Sequence, residues 1–156
     1  GNRITVIASN NKYNIQSINE FINEILENIR IQIHLYGYIC ESIRDHDQII
    51  KHHYDQNISD IYDNACVCIC PTKYGSGTKI KINESISYGV PILAHDFQAS
   101  SSLLEHGING YAYNNVNAFE TYLQRILKNY TRFRHNCKTT LENAKKDQLI
   151  FIKSIL

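Results

Sequence analysis

The chain has 156 residues, a length at which one domain with its own core is expected. Its 16 Lys and Arg against 15 Asp and Glu leave a formal charge of +1, too weak a field to point to nucleic acid, and no basic run marks a membrane-surface anchor. Hydrophobic residues make up 43%, ordinary for a globular protein, and no apolar run approaches the ~20 residues of a membrane span. Five cysteines, an odd number, with no signal peptide ahead of them lead us to expect a reducing, cytoplasmic compartment. The opening Gly1 and the lack of any Met lead us to expect a domain excised from a larger chain, a single unit over 1–156.

In chain order, Arg3 to Ala8 reads as a buried strand and Ser9 to Lys12 as a polar loop. Ile15, Ile18, Phe21, Ile22, Ile25, Leu26 and Ile29 then recur at helical spacing, with Asn14 as candidate cap. Ile31 to Tyr36 reads as a strand stopped by Gly37, Cys40 to Asp47 as irregular or a short helix, and Ile49 to His52 as a short strand. Asn57 to Asn64 is a short helix carrying Ile58, Ile61 and Tyr62, and Cys66 to Cys70 is a central strand. Cys66, Cys68 and Cys70 alternate and so would share one face; thiolate zinc sites have wider spacing, and small buried core residues are the expectation. Pro91 to Ala94 and Tyr111 to Tyr113 read as strands, Ser100 to Glu105 as a helical turn, Val116 to Tyr130 as an amphipathic helix and Thr131 to Ile155 as another.

Strands alternating with helices predict an α/β fold, a doubly wound, mostly parallel, Rossmann-like sheet. In such sheets ligands bind beyond the carboxyl ends of the strands where the strand order reverses. The loops Ser9 to Asn14 and Tyr74 to Lys79 both follow strand ends and are candidates to face one crevice.

The chemistry concentrates in Tyr74 to Pro91. Gly75 and Gly77 supply a glycine turn that lets the backbone approach a ligand. Gly77, Thr78 and Lys79 stand at a helix start, where free N–H groups and the dipole suit a phosphate; Lys79 or Lys81 could add a full charge. Glu84, further along the helix, could accept hydrogen bonds from a ribose diol, and Gly89 ends the helix before Pro91 opens the next strand.

The run from Gly75 to Ile92 resembles the donor-binding signature of the retaining GT-B glycosyltransferases often called family 4. Asp63 to Pro71 resembles the segment leading into that signature, and Gly107-Ile108-Asn109-Gly110-Tyr111 its later Gly-x-Asn-Gly turn; the likeness runs roughly from Ile4 to Tyr130. The resemblance implies one half of a GT-B architecture, the C-terminal domain that binds a nucleotide sugar without a metal or other cofactor. A missing N-terminal half would carry the acceptor site and any membrane contact. It implies a pyrophosphate on the N–H groups of Gly77 and Thr78, with Lys79 or Lys12 beside it, and a ribose on Glu84. Ser76 stands where the family's first glutamate usually meets the donor sugar, and can offer a hydroxyl but no charge. Ser102 replaces a further glutamate of many relatives, so that contact does not carry over.

Other candidates come with plainer readings. Asn10, Asn11, Lys12 and Asn14 fall where the family often places a phosphate contact, or form a plain polar loop. His52, His53 and Tyr54 fall where relatives hold the base, and Tyr54 could stack on it or simply pack. His95 and Asp96 end a strand at the expected crevice, although His95 also fits a satisfied core histidine. No nucleophile–His–acid set is present, so the catalytic residues stay unknown. Tyr122, Tyr130 and Phe133 are expected to be left exposed by the missing half. A non-catalytic, flavodoxin-like nucleotide-binding or signalling module explains the strand–helix alternation equally well but not the joint Gly75, Gly77, Glu84 and Gly89 pattern. An epimerase half would need histidine and acid groups that have no place in the sequence.

Overall fold

The computed structural model describes residues 1–53, 57–75, 77–99 and 102–155, without the side chains of Thr78 and Gln98. Its strands are β1 (Arg3–Ile7), β2 (Ile33–Tyr36), β3 (Ile49–His52), β4 (Ala65–Cys70), β5 (Ile92–His95) and β6 (Gly110–Tyr113). The helices are α1 (Lys12–Phe21), α2 (Ile58–Asp63), α3 (Thr78–Ser87), α4 (Asp96–Ala99), α5 (Val116–Lys128) and α6 (Tyr130–Ile155). The strands form one sheet in the order β3-β2-β1-β4-β5-β6, and every pair is parallel. This is the doubly wound order with its reversal between β1 and β4. It rules out the flavodoxin-like alternative, whose strand order is 2-1-3-4-5.

Two apolar layers cover the sheet. On one face Phe21, Ile22, Ile25 and Leu26 from the first helical segment meet Phe119, Leu123 and Ile126 of α5 over Val6, Leu35, Val67, Ile69 and Leu93. On the other, Tyr62 of α2, Ile82 and Ile86 of α3, and Cys137 of α6 pack on Cys68, Cys70, Ile92 and Ala94. Ile82 and Ile86 are fully buried, and each contributes roughly 1.5–3 kcal/mol by leaving water, which pins α3 to the sheet.

Several local expectations are corrected. The cap of α1 is Asn11, whose Oδ1 accepts from the Asn14 N–H at 2.9 Å; Asn14 lies inside the helix. Past Phe21 the helix widens into a π turn, Ile22–Leu26, which buries Ile22, Ile25 and Leu26 together. The three alternating cysteines do not share a face: Arg3 pairs with Ala65 but Ile4 with Val67, so Cys66 is the extra residue of a bulge. Cys66 joins the first core cluster, Cys68 and Cys70 the second. The helical turn after β5 is Asp96–Ala99, upstream of its expected place. Residues 102–105 form no helix because side chains take their backbone groups: the Leu104 N–H donates to Ser102 Oγ (3.2 Å) and the Glu105 N–H to Asn109 Oδ1 (2.8 Å). Phe133 is buried, not exposed, and lies 5.6 Å from the Tyr111 ring, while Tyr122 stacks on Tyr111 at 4.3 Å. The exposed apolar residues of α6 are instead Leu149, Ile150, Phe151, Ile152 and Ile155.

The Gly-x-Asn-Gly turn proves to be framework. A Cβ on Gly110 would stand 2.0 Å from the Ile92 carbonyl oxygen, so only glycine lets β6 lie this close to β5. Asn109 is fully buried; its amide donates to the Leu103 carbonyl and to Thr140 Oγ1, each at 3.0 Å, and ties the turn to α6.

Candidate functional site

The loops leaving β1 and β4, on either side of the strand-order reversal, enclose a cavity of about 630 Å³. Ser9, Asn11 and Asn14 form one wall; Pro71, Thr72, Tyr74 and Gly75 form the other; Gly77, Ile80 and Lys81 of α3 close it. The expected crevice is therefore present where the order reverses. Its walls are tied together: Thr72 Oγ1 donates to Asn14 Oδ1 (2.8 Å), Asn14 Nδ2 to the Ser9 carbonyl (2.9 Å), and the Lys73 N–H to Ser17 Oγ (3.0 Å).

The two motif glycines do different things. Gly75 has φ +83°, the left-handed region, and a Cβ there would meet the Tyr13 ring at 3.1 Å. Gly77 has φ −79°, open to any residue, and a Cβ there would meet nothing within 4 Å. Gly77 lines the cavity, so the lack of a side chain there leaves space at the cavity and is not demanded by the backbone. Gly77 also caps α3 with no side-chain acceptor, so among the described residues the first N–H groups of the helix have no side-chain cap. At the other end Gly89 has φ +76°, and the Val90 N–H bonds back to the Ser85 carbonyl at 2.9 Å, as expected for the stop.

At 3.6 residues per turn, Gly77, Lys81 and Glu84 fall on one face of α3 and Lys79 on the opposite one. Lys81 lines the cavity and its Nζ donates to Glu84 Oε1 at 3.3 Å. The same oxygen accepts from Tyr62 OH at 2.8 Å; among the described residues Oε2 accepts nothing. Tyr62 is held by stacking on Tyr88, ring centres 4.7 Å apart, and burial together with the nearby Cys68 and Glu84 pushes its hydroxyl well above the usual range. Sequence reasoning read Tyr62 only as packing, and its spacing gave no sign of the bond to Glu84.

Of the other expected residues, Lys79 is half-buried and does not line the cavity. Lys12 is exposed, its ammonium 5.1 Å over the Tyr13 ring, and does not line the cavity either. Ser76 and Tyr54 lie outside the described residues, as does the Thr78 side chain. His52 is half-buried: its ring stacks on Tyr36 at 4.2 Å, its Nε2 lies 3.0 Å from His34 Nδ1, and Arg3 Nη1 donates to Tyr36 OH at 2.8 Å. Burial, with Arg3 nearby, lowers the pKa of both His34 and His52.

His95 and Asp96 line a second cavity, of about 710 Å³, beyond the ends of β5 and β6. Lys73 also lines it, and its Nζ lies 3.1 Å from carboxylate oxygens of both Glu20 and Glu24. Burial pushes the Glu20 carboxyl up, but the hydrogen bonds from Lys73, Gln16 and Tyr74 and the Lys73 charge together outweigh it, and the net shift is downward. Among the described residues no group of three or more His, Cys, Asp or Glu is placed to hold a metal, and no helix is long and apolar enough to cross a membrane.

Comparison with solved structures finds this fold repeatedly. Anabaena HepE in complex with UDP and glucose is 14% identical and superposes with a TM-score of 0.69, over 99% of this chain and 49% of that one. A glycosyltransferase from Rickettsia africae is 13% identical with a TM-score of 0.65, over 98% of this chain and 48% of that one. The pneumococcal O-GlcNAc transferase GtfA in complex with UDP and GlcNAc is 18% identical with a TM-score of 0.54, over 93% and 35%. The chain thus spans at most about half the length of these proteins, and identities this low show the fold alone. A search of curated protein sequences finds no match. The family described as glycosyl transferases group 1 matches residues 1–129, most of the chain, so this protein belongs to that glycosyltransferase family.

Proposed function

We propose that this chain is the donor-binding part of a GT-B glycosyltransferase that takes a sugar, with retention, from a nucleoside-diphosphate sugar. The observation that carries the reading is the cavity at the strand-order reversal, closed by the open N-terminus of α3 with Lys81 on its rim. The pyrophosphate would meet the N–H groups after Gly77 and the Lys81 ammonium. Neutralising it stabilises the departing nucleoside diphosphate as the glycosidic bond breaks. A helix end and a lysine supply this without a divalent metal, and metal independence is part of the proposal. Glu84, on the same face with Oε2 accepting nothing among the described residues, would accept from the ribose hydroxyls. The HepE and GtfA complexes hold UDP, which makes uridine the first base to test.

The acceptor site and the groups that assist transfer would come from a second, N-terminal half. A reducing cytoplasmic setting is supported by five free, buried cysteines. Calorimetry with UDP, GDP and ADP, with Lys81→Ala and Lys79→Ala as paired variants, tests the reading. We expect micromolar-to-millimolar binding that Lys81→Ala weakens and Lys79→Ala leaves nearly unchanged. Absence of binding by all three nucleotides would refute it.

A further inference from the structure

The loop after β4 has two sides. Thr72 and Tyr74 line the first cavity, and Lys73 between them lines the second. The two cavities therefore share a wall. Their chemistry differs. Around the second, the Lys73 ammonium faces the carboxylates of Glu20 and Glu24, with Asp96 on the rim, one positive charge against three negative. A phosphate would be repelled there.

At the floor lies His95, whose side chain is only 7% exposed. Its Nδ1 accepts from the Phe97 N–H at 3.3 Å, which puts the proton of the neutral ring on Nε2; the Asp96 carboxylate, 3.4 Å from the same nitrogen, pulls toward the other tautomer. Among the described residues Nε2 has no partner, although the residue lines the cavity. Burial lowers the His95 pKa, which keeps the ring neutral and a donor near pH 7. At the mouth, Phe97 is 69% exposed, with its ring centre 4.7 Å from that of His95. Asn114, beside it, accepts from Asn115 through Oδ1 and keeps its amide N–H groups without a partner among the described residues.

We infer that this second cavity binds a neutral, polyhydroxylated ring, a saccharide, beside the donor cavity. The apolar face of the ring would lie on Phe97, and its hydroxyls would accept from His95 Nε2–H and the Asn114 amide and donate to Glu24. A large exposed aromatic next to unpaired neutral donors fits such a ligand, and the negative surround disfavours an anionic one. That the cavity takes a sugar rests on its own chemistry and not on the proposed function above.

The test is a titration of the ¹⁵N-labelled chain with glucose, N-acetylglucosamine and maltose, followed by NMR, with inorganic phosphate and tetramethylammonium as controls. Saturable shifts at Phe97, Asn114 and the His95 ring are expected, with the His95 proton on Nε2 in long-range spectra. Phe97→Ala, at an exposed position, should weaken sugar binding roughly ten-fold while leaving UDP binding unchanged. His95→Gln should weaken it as well. Sugars that shift nothing at this cavity, a Phe97→Ala variant that binds them as the parent does, a proton on Nδ1, or stronger binding of either ion would each overturn the inference. UDP calorimetry on the same samples tells a failure of this site from a failure of the donor site.

Discussion

Glu84→Gln separates what Glu84 does for the fold from what it does for a ligand. In the free domain its Oε1 accepts from Tyr62 OH and from Lys81 Nζ. The Lys81–Glu84 pair is about a third exposed at each end, so a bond of this kind contributes only about 0.3–0.5 kcal/mol. Glutamine keeps an oxygen for Tyr62, and the melting temperature should barely move. Toward a ribose the balance differs. A hydrogen bond to a charged acceptor contributes about 1.5–3 kcal/mol and a neutral one about half that, so two ribose hydroxyls lose roughly 1.4 kcal/mol or more, about ten-fold in affinity. For UDP the loss is smaller by about two-fold, because Lys81, released from its carboxylate, answers the diphosphate more strongly. Lys81→Ala should do the reverse, with UDP weakened about ten-fold and uridine nearly unchanged. Calorimetry for UDP and NMR titration for uridine, on the parent and both variants, give the four ratios. Equal losses for uridine and UDP in both variants, or parent-like binding throughout, would refute the assignment of ribose and phosphate along one face of α3.

Gly75→Ala should cost about 1–2 kcal/mol in thermal or urea unfolding because φ is +83° and Tyr13 is close, whereas Gly77→Ala should leave stability within about 1 kcal/mol yet weaken UDP by ten-fold or more in calorimetry. Stability should fall on acidification. Burial lowers the pKa of His34, His52 and His95 below the ordinary 6.5, so the unfolded chain binds more protons in that window. Their contribution is complete above about pH 6.5 and is lost as pH drops through the folded values; melting curves between pH 8 and 5 check this, and His95→Gln should flatten the decline. All five cysteines are free and buried; burial raises Cys40 and Cys66 and pushes Cys137 up to about 12, while a hydrogen bond with Cys68 and burial raise Cys70. A thiol reagent should therefore label the native chain only at its unfolding rate, and fast labelling of any cysteine would contradict the packing.

Much of the fold was legible because its signals are periodic or punctuated. The strand Ile49–His52 falls at its expected bounds, the all-parallel sheet follows from strict strand–helix alternation, and Gly89 stops α3 as read. What failed was decided by tertiary contact. The bulge that turns Cys66 away from Cys68 and Cys70 depends on how β4 registers with Arg3 and Ile4, which no local pattern records. Phe133 looked surplus on an amphipathic helix but fills a gap against Tyr111 that only the folded sheet creates. At the site, the two loops were foreseen; that Lys81 borders the cavity and Lys79 does not was left open, since the charge pattern alone offers either lysine.

That division follows from two periods meeting at one loop. In the loop after β4 successive side chains alternate: Thr72 and Tyr74 line one cavity and Lys73 the other. Three residues later the chain turns helical, and the same cavity is reached three and four positions after Gly77, by Ile80 and Lys81, with Glu84 one turn further on the same face. Lys79 is two residues from Gly77, which in a strand would place it beside Gly77 and in a helix places it on the far side. The point where the period changes from 2 to 3.6 thus decides which lysine faces the cavity. Gly77 sits at that point, with helical φ, no side chain and no capping bond. Shifting the helix start by one residue would move Lys81 off the cavity rim while leaving every motif residue in place. The motif therefore acts through where α3 begins as much as through the residues it contains.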